Sequence, residues 1–265
     1  MFFYTAEVVS LGTNNDSCEI VENHPEFTWN GKKAAVVLTY DDGLNDHLDN
    51  VLPALEKMGF KATFYVFTGS EAFQRRIKDW QRLALKGHEI GNHSVYHPCP
   101  DMYSPDDESD GLPDINQYSV ETIMMELCLA NETLKELDGQ EERTYAYPCG
   151  QKYIGDTLYS GFLSDDFIAA RGITAQSEGI DDHDLYDLGA FMINSRASLE
   201  MLIKLTNRII DRERLVIFVF HGVGGGHEIN MDVDQHYQFL QYLKSREDEL
   251  WITTLRDVVK YMKSE

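Results

Sequence analysis

Asp41 and Asp42 stand side by side in "LTYDDGLNDH" (38–47), directly after the apolar run from Ala34 to Leu38. Such a run reads as a buried strand, so both carboxylates fall at its C-terminal end. Two adjacent like charges cost free energy unless something uses them. A second pair, His93 and His97 in "GNHSVYH", is separated by four positions. On a helical turn that spacing puts both imidazoles on one side, suited to clamp one cation. A carboxylate from another strand end completes a two-histidine, one-carboxylate set that leaves positions open for water and substrate. Asp41 and Asp42 are both candidate suppliers. If one ligates the cation, the other stays ionised as a base, since water acidified by a cation still needs a base to take its proton. An acid on the opposite side must then protonate the leaving group. His221, which ends the buried run "IFVFH" ahead of "GVGGG", is placed for that role.

The elements that must position these groups alternate along the chain. "AAVVLTY", "KATFYVFT", "HEIGNHS", "RTYAYP", "DFIAAR", "LVIFVFH" and "LWITTL" read as strands. Between them, "DHLDNVLPALEKMGF", "SEAFQRRIKDWQRLALKG", "YSVETIMMELCLANETLKELDG", "SLEMLIKLTNRIIDRER", "MDVDQHYQFLQYLKSRE" and "RDVVKYMKS" read as helices, with "IGDTLYSGFLS" a weaker one. Such alternation predicts parallel strands covered by helices, in an open sheet or a barrel. It also predicts a site at the strand C-termini. Asp41 and Asp42, His93 and His97, the "YPCG" turn, Arg171 and His221 all fall there, from five separate segments.

The chain has 265 residues and a formal charge of −22, with acidic clusters in "SPDDESD" and "EGIDDHDLYD" that read as solvated loops. That surface repels phosphate backbones, which argues against nucleic acid and anionic membranes as partners. No window approaches a membrane span. Residues 1–32 read as an N-terminal arm and 33–265 as one domain. "MFFYTAEVVSLGTNNDS" carries no recognisable signal peptide, which leaves export or the cytoplasm open as the compartment. Cys18, Cys99, Cys128 and Cys149 form no CxxC pair and read as free thiols, with Cys128 a small core residue. A structural cysteine/histidine zinc site using Cys99 or Cys149 is the alternative use. His88, Glu89 and Trp80 read as structural, and Asp46 and His47 either as supports of the site or as the start of a helix. Tyr96, Tyr147 and Tyr153 fall near the expected mouth, where aromatic faces can stack on sugars.

Taken together, these residues resemble the polysaccharide deacetylases, carbohydrate esterase family 4, with its nodulation-type deacetylase domain. "TYDDG" (39–43), "HSVYH" (93–97), "AYPCG" (146–150) and "FVFH" (218–221) occur in the family's order and span most of the chain. The resemblance implies a distorted (β/α) barrel of about seven strands and hydrolysis of an N- or O-linked acetyl group on a carbohydrate. It implies Asp41 as base, Asp42, His93 and His97 as metal ligands, and His221 as acid. Cys149 holds the place of a tyrosine whose backbone N–H stabilises the oxyanion, and Tyr147, Pro148 and Tyr96 fall at substrate-binding positions. The metal implied is zinc, with cobalt, nickel or iron(II) also compatible with the ligand types. Two departures stand out. The arginine that opens the third motif is replaced by Ala146, with Arg171 on the next strand a candidate substitute, and the family's Asp-x-x-Asp-Trp-like motif is not recognisable. Hydrolysis of a small non-peptide amide and a catalytically silent carbohydrate-binding protein are the alternative functions. The sequence leaves the oligomeric state open.

Overall fold

The computed structural model describes residues 28–100, 112–174, 184–194 and 196–264. Most of the expected arm, the "SPDDESD" cluster, Cys18 and much of the second acidic loop lie outside the described residues. Trp29 packs into the core and donates its indole N–H to the Glu213 carbonyl at 2.8 Å.

Eight parallel strands form one curled sheet. They are β1 (Ala34–Tyr40), β2 (Thr63–Val66), β3 (Glu89–Asn92), β4 (Thr144–Ala146), β7 (Ala169–Arg171), β8 (Phe191–Met192), β9 (Leu215–Phe220) and β12 (Leu250–Thr253). The spatial order is β7-β4-β3-β2-β1-β9-β8, and β12 pairs with β1 as well. One edge of β1 is shared: β12 pairs with Ala34–Val37 and β2 with Thr39–Tyr40. This is a seven-strand half-barrel with an extra strand at its base, the distorted (β/α) barrel that the motifs imply. Two short ribbons lie outside it: β5 (Tyr153–Ile154) with β6 (Thr157–Leu158), and β10 (Gly222–Val223) with β11 (Asn230–Met231).

Every residue of β1 is buried because both faces are covered, which is why its sequence is a continuous apolar run. Its side chains alternate between two cores. Ala34, Val36, Leu38 and Tyr40 join the outer cluster, packed with α1 (Leu52–Met58), α3 (Ile77–Leu85), α5 (Leu199–Arg212) and α6 (Val233–Ser245). Ala35 and Val37 join the other cluster, closed by Trp29 and by Leu255, Val258 and Val259 of α7 (Leu255–Ser264). A third cluster joins α4 (Val120–Asp138) to Tyr145, Tyr147 and Tyr159.

Three expectations need correction. "IGDTLYSGFLS" is no helix: Gly155 takes φ +56° in the turn that closes the β5–β6 hairpin, and a single 3₁₀ turn follows at Tyr159–Phe162. The helix expected over 70–87 breaks at Arg76 (φ −119°, ψ 27°) into α2 (Glu71–Arg75) and α3. Cys128 is exposed rather than core. The buried stripe of α4 is Ile123, Leu127, Ala130 and Leu134, and Cys128 lies one residue off it, about 100° round the helix.

Candidate functional site

All five chemistry-bearing segments leave the same edge of the sheet. Asp41 and Asp42 follow β1, His93 follows β3, Cys149 follows β4, Arg171 ends β7 and His221 follows β9. In an extended strand, adjacent side chains point to opposite faces. Asp42 escapes that alternation by taking a left-handed conformation, φ +76°, so that both carboxylates are buried at one site. His97 (φ +55°), Ser94 (φ +69°) and Cys149 (φ +52°) are left-handed as well. For non-glycine residues this conformation is uncommon and persists only where the surroundings fix it.

The histidine pair meets without a helix. The Asn92 side-chain oxygen accepts from the Ser94 N–H at 2.7 Å, and Ser94 Oγ accepts from the His97 N–H at 2.9 Å. These bonds curl the loop until the two rings are 4.7 Å apart. Glu126 of α4 braces the same loop by accepting the Val95 and Tyr96 N–H groups. The four-residue spacing therefore serves a bonded loop, not the helical turn that the sequence suggests.

Asp42 is the hub. Its Oδ1 lies 3.4 Å from His93 Nε2 and 3.3 Å from His97 Nε2. Its Oδ2 lies 4.0 Å from His221 Nε2 and 3.8 Å from His227 Nε2. His93 donates its Nδ1–H to the Ala146 carbonyl at 2.8 Å, which leaves the Nε2 lone pair facing Asp42. His97 Nδ1 lies 3.5 Å from Cys99 Sγ. Burial, and then the neighbouring His93, hold His97 down at about 4, so its imidazole is neutral at pH 7. Burial likewise lowers His221, against the pull of Asp42 and Asp41. Burial also works against the charge of Asp42, but when the rings of His93, His97 and His221 are protonated their charge outweighs it and holds the carboxylate below its usual range. A buried carboxylate oxygen, Asp42 Oδ1, then has no hydrogen-bond partner among the described residues. An ionised oxygen without a partner, faced by imidazole nitrogens, is a donor set that a divalent cation satisfies. Asp42, His93 and His97 fit a metal.

Arg171 meets Asp41. Its Nη2 donates to Asp41 Oδ1 in a pair that is almost wholly buried. The register explains how: Ala146 of β4 and Arg171 of β7 are direct neighbours across the ladder. The guanidinium therefore leaves the sheet one strand over from the position where the family's motif carries its arginine. It lies over the Tyr65 ring, 4.6 Å from the centroid, and that ring is held by a 2.7 Å bond between Tyr65 Oη and Thr144 Oγ1. Gly91 makes room for this ring, because a Cβ there would lie 2.4 Å from it. Gly91, Tyr65, Arg171 and Asp41 form one packed series, of which only the last two carry a readable sequence signal.

Cys149 is not a free thiol. It is disulfide-bonded to Cys99, two residues beyond His97. The bond commits both sulfurs, which removes the cysteine/histidine zinc site, and it ties the loop that carries His97 to the "YPCG" turn. Spacing along the chain could not reveal it, since 50 residues separate the partners. Tyr147 is buried, donating its hydroxyl to the Tyr186 carbonyl at 2.7 Å, and Pro148 is buried beside it. Neither presents a surface for stacking. Tyr96 and Tyr153 are exposed. His47 Nε2 lies 2.8 Å from the His221 carbonyl, and Asp46 Oδ2 accepts the Val223 N–H, so both support the loop that carries His221. His88 Nδ1 accepts the Ala62 N–H, and Glu89 accepts from Thr63, Thr144 and the Arg256 N–H, which makes both structural. His227 went unread in the sequence. Its signal is the glycine run of "HGVGGGH", which returns a second imidazole to the strand end.

The family model for polysaccharide deacetylase matches residues 29–160. Among curated proteins, the chain is 32% identical over 118 residues to an uncharacterized 30.6 kDa protein of Geobacillus stearothermophilus, covering 44% of this chain and 38% of that one. It is 29% identical over 135 residues to the peptidoglycan-N-acetylmuramic acid deacetylase PdaA of Bacillus subtilis, covering 49% and 43%. These matches span less than half the length of either relative. Among solved structures, a Mycobacterium smegmatis protein proposed to be a polysaccharide deacetylase superposes with a TM-score of 0.62 at 14% identity, over 88% and 91% of the two chains. A pseudoenzyme of carbohydrate esterase family 4 from Bacillus anthracis superposes with a TM-score of 0.55 at 17% identity, over 89% and 66%. At these identities the structures share the fold. The chain belongs to the polysaccharide deacetylase family.

Proposed function

We propose that this protein is a metal-dependent hydrolase that removes acetyl groups from a carbohydrate, with zinc the best-suited ion. The observation that carries the reading is the pairing of two unlike carboxylates on adjacent residues. Asp42 has an oxygen with no hydrogen-bond partner among the described residues, facing two imidazoles, and Asp41 is held by Arg171 instead. Asp42, His93 and His97 would hold the ion, which when bound polarises the acetyl carbonyl and acidifies water. Asp41 takes the proton from the attacking water, and Arg171 keeps that carboxylate oriented and charge-compensated. His221, on the other flank of Asp42, gives a proton to the leaving nitrogen or oxygen of the sugar. The Cys149 N–H, in the turn pinned by the disulfide, would donate to the oxyanion. Relatives named as peptidoglycan deacetylases make an acetylated cell-wall glycan the first substrate to try. The disulfide favours an oxidising compartment and hence export.

A second reading has its own observation. His221 Nδ1 is buried with no hydrogen-bond partner among the described residues, so nothing there orients or charges the acid. A silent carbohydrate-binding protein would tolerate that.

Calorimetric titration with zinc tests the metal step. One ion per chain is expected to bind, with affinity reduced at least 100-fold in Asp42→Asn and His93→Ala. Unchanged affinity in both variants contradicts the assignment.

A further inference from the structure

We infer that His227 is a substrate-binding residue that donates its Nε2–H to an oxygen of the sugar beside the acetyl group; this rests on the deacetylase reading above. The Ile229 N–H donates to His227 Nδ1 at 2.9 Å. In a neutral imidazole that fixes the remaining proton on Nε2, the nitrogen directed at the site. His93 is arranged the opposite way, with Nδ1 donating to the Ala146 carbonyl and the Nε2 lone pair free for a cation. Of the imidazoles around Asp42, His227 is therefore made to donate a hydrogen bond rather than to ligate. Its position agrees. It flanks Oδ2 together with His221, the two rings 4.9 Å apart, whereas His93 and His97 flank Oδ1. Its side chain is 35% exposed, against 2% for His93 and 13% for each of His97 and His221. His227 is thus the most solvent-exposed of these rings, open to a molecule that enters from outside.

The loop that presents it is built rather than loose. Gly224, Gly225 and Gly226 have φ of +81°, +140° and +77°. A Cβ on Gly226 would lie 2.3 Å from Asp46 Oδ1, and one on Gly222 would lie 2.0 Å from the Gly225 carbonyl oxygen. Asp46 accepts the Val223 N–H, and the β10–β11 pairing closes the base of the loop. The glycines after His221 therefore fold the chain tightly back and return His227 to the strand end.

The test uses the zinc-loaded full chain with His227→Ala and His227→Gln, on acetylated chitooligosaccharides and on 4-nitrophenyl acetate, which lacks a sugar. In His227→Ala, KM for the oligosaccharide is expected to rise about tenfold, more than kcat falls, with a smaller loss on the small ester. His227→Gln, which keeps an N–H near the same point, recovers part of KM. Zinc affinity stays within about twofold in both variants. Nitrogen NMR of the wild-type imidazoles, independent of turnover, shows the Nε2–H form at His227. A tenfold loss of zinc affinity, equal losses on both substrates, or an Nδ1–H form overturns the inference. If the wild type binds oligosaccharide without hydrolysing it, the deacetylase reading fails alone, and the inference is judged by the affinity of His227→Ala. A wild type that does neither overturns both.

Discussion

Arg171 reaches Asp41 from a strand that does not carry the family's arginine, and a ladder pairing with Ala146 makes this possible. Removing the guanidinium leaves a buried carboxylate without its partner. Arg171→Ala is therefore expected to lose about 3–5 kcal/mol of stability in denaturant titration. It is also expected to lose about 100-fold or more in kcat with zinc still bound. The double variant Ala146→Arg/Arg171→Ala returns the charge from the neighbouring strand and is expected to recover at least a tenth of the lost rate. No recovery, with the double variant folded, would mean that the site needs the geometry of Arg171 and not merely its charge. At this scale the sequence was legible wherever a side-chain type itself marks a candidate: the two aspartates, the histidine pair and His221, which the fold brings together. It was silent where the role comes from a bond to the backbone. The tautomers of His93 and His227 depend on the Ala146 carbonyl and the Ile229 N–H, which no residue type announces.

Among the elements, the disulfide joins the loop after β3 to the turn after β4, bridging Cys99, two residues beyond His97, to Cys149. By loop-closure entropy a link across that separation stabilises by roughly 4 kcal/mol. Cys99→Ser/Cys149→Ser should lower the thermal midpoint and weaken zinc binding as well, since His97 sits in the tethered loop. Zinc affinity equal to wild type would show that the link serves stability only. A second expectation concerns acid. His236 of α6 lies 2.8 Å from the Tyr40 hydroxyl, and burial, then His47, lower it to about 3; burial lowers His88 to about 4. Both histidines take up protons more readily in the unfolded chain, so stability falls as pH drops below about 6.5 and levels off near those values. In metal-free protein, His236→Gln is expected to flatten the stability-against-pH slope in that window by about one proton. An unchanged slope would place the titrating groups elsewhere. The long periodic helices and the apolar strands could be read from pattern alone, because both faces of β1 are buried and α4 keeps its stripe. Short elements could not: β8 is two residues long and owes its existence to pairing with β9.

For the molecule as a whole, the parallel half-barrel gathers five strand ends at one edge, and that is why segments far apart in sequence share a site. The fold class was legible from the alternation of elements, whereas the added pairing of β12 at the base of β1 was not, since it shows only in the register. The charge of −22 has a consequence for substrate choice. Peptidoglycan fragments carry carboxylates and chitooligosaccharides are neutral. We expect kcat/KM on the former to rise several-fold as ionic strength goes from about 10 to 150 mM, and to stay flat on the latter. Parallel salt dependence on both would remove long-range charge from the account. The most direct test of the central claim is acetate release from peptidoglycan fragments, chitooligosaccharides and acetylated xylan. Metal-stripped protein, zinc-reloaded protein and zinc-loaded Asp41→Asn are compared. Release that requires zinc and disappears in Asp41→Asn, with the ion still bound, is the predicted result. Stoichiometric zinc binding with no acetate from any substrate, or wild-type release by Asp41→Asn, would contradict it.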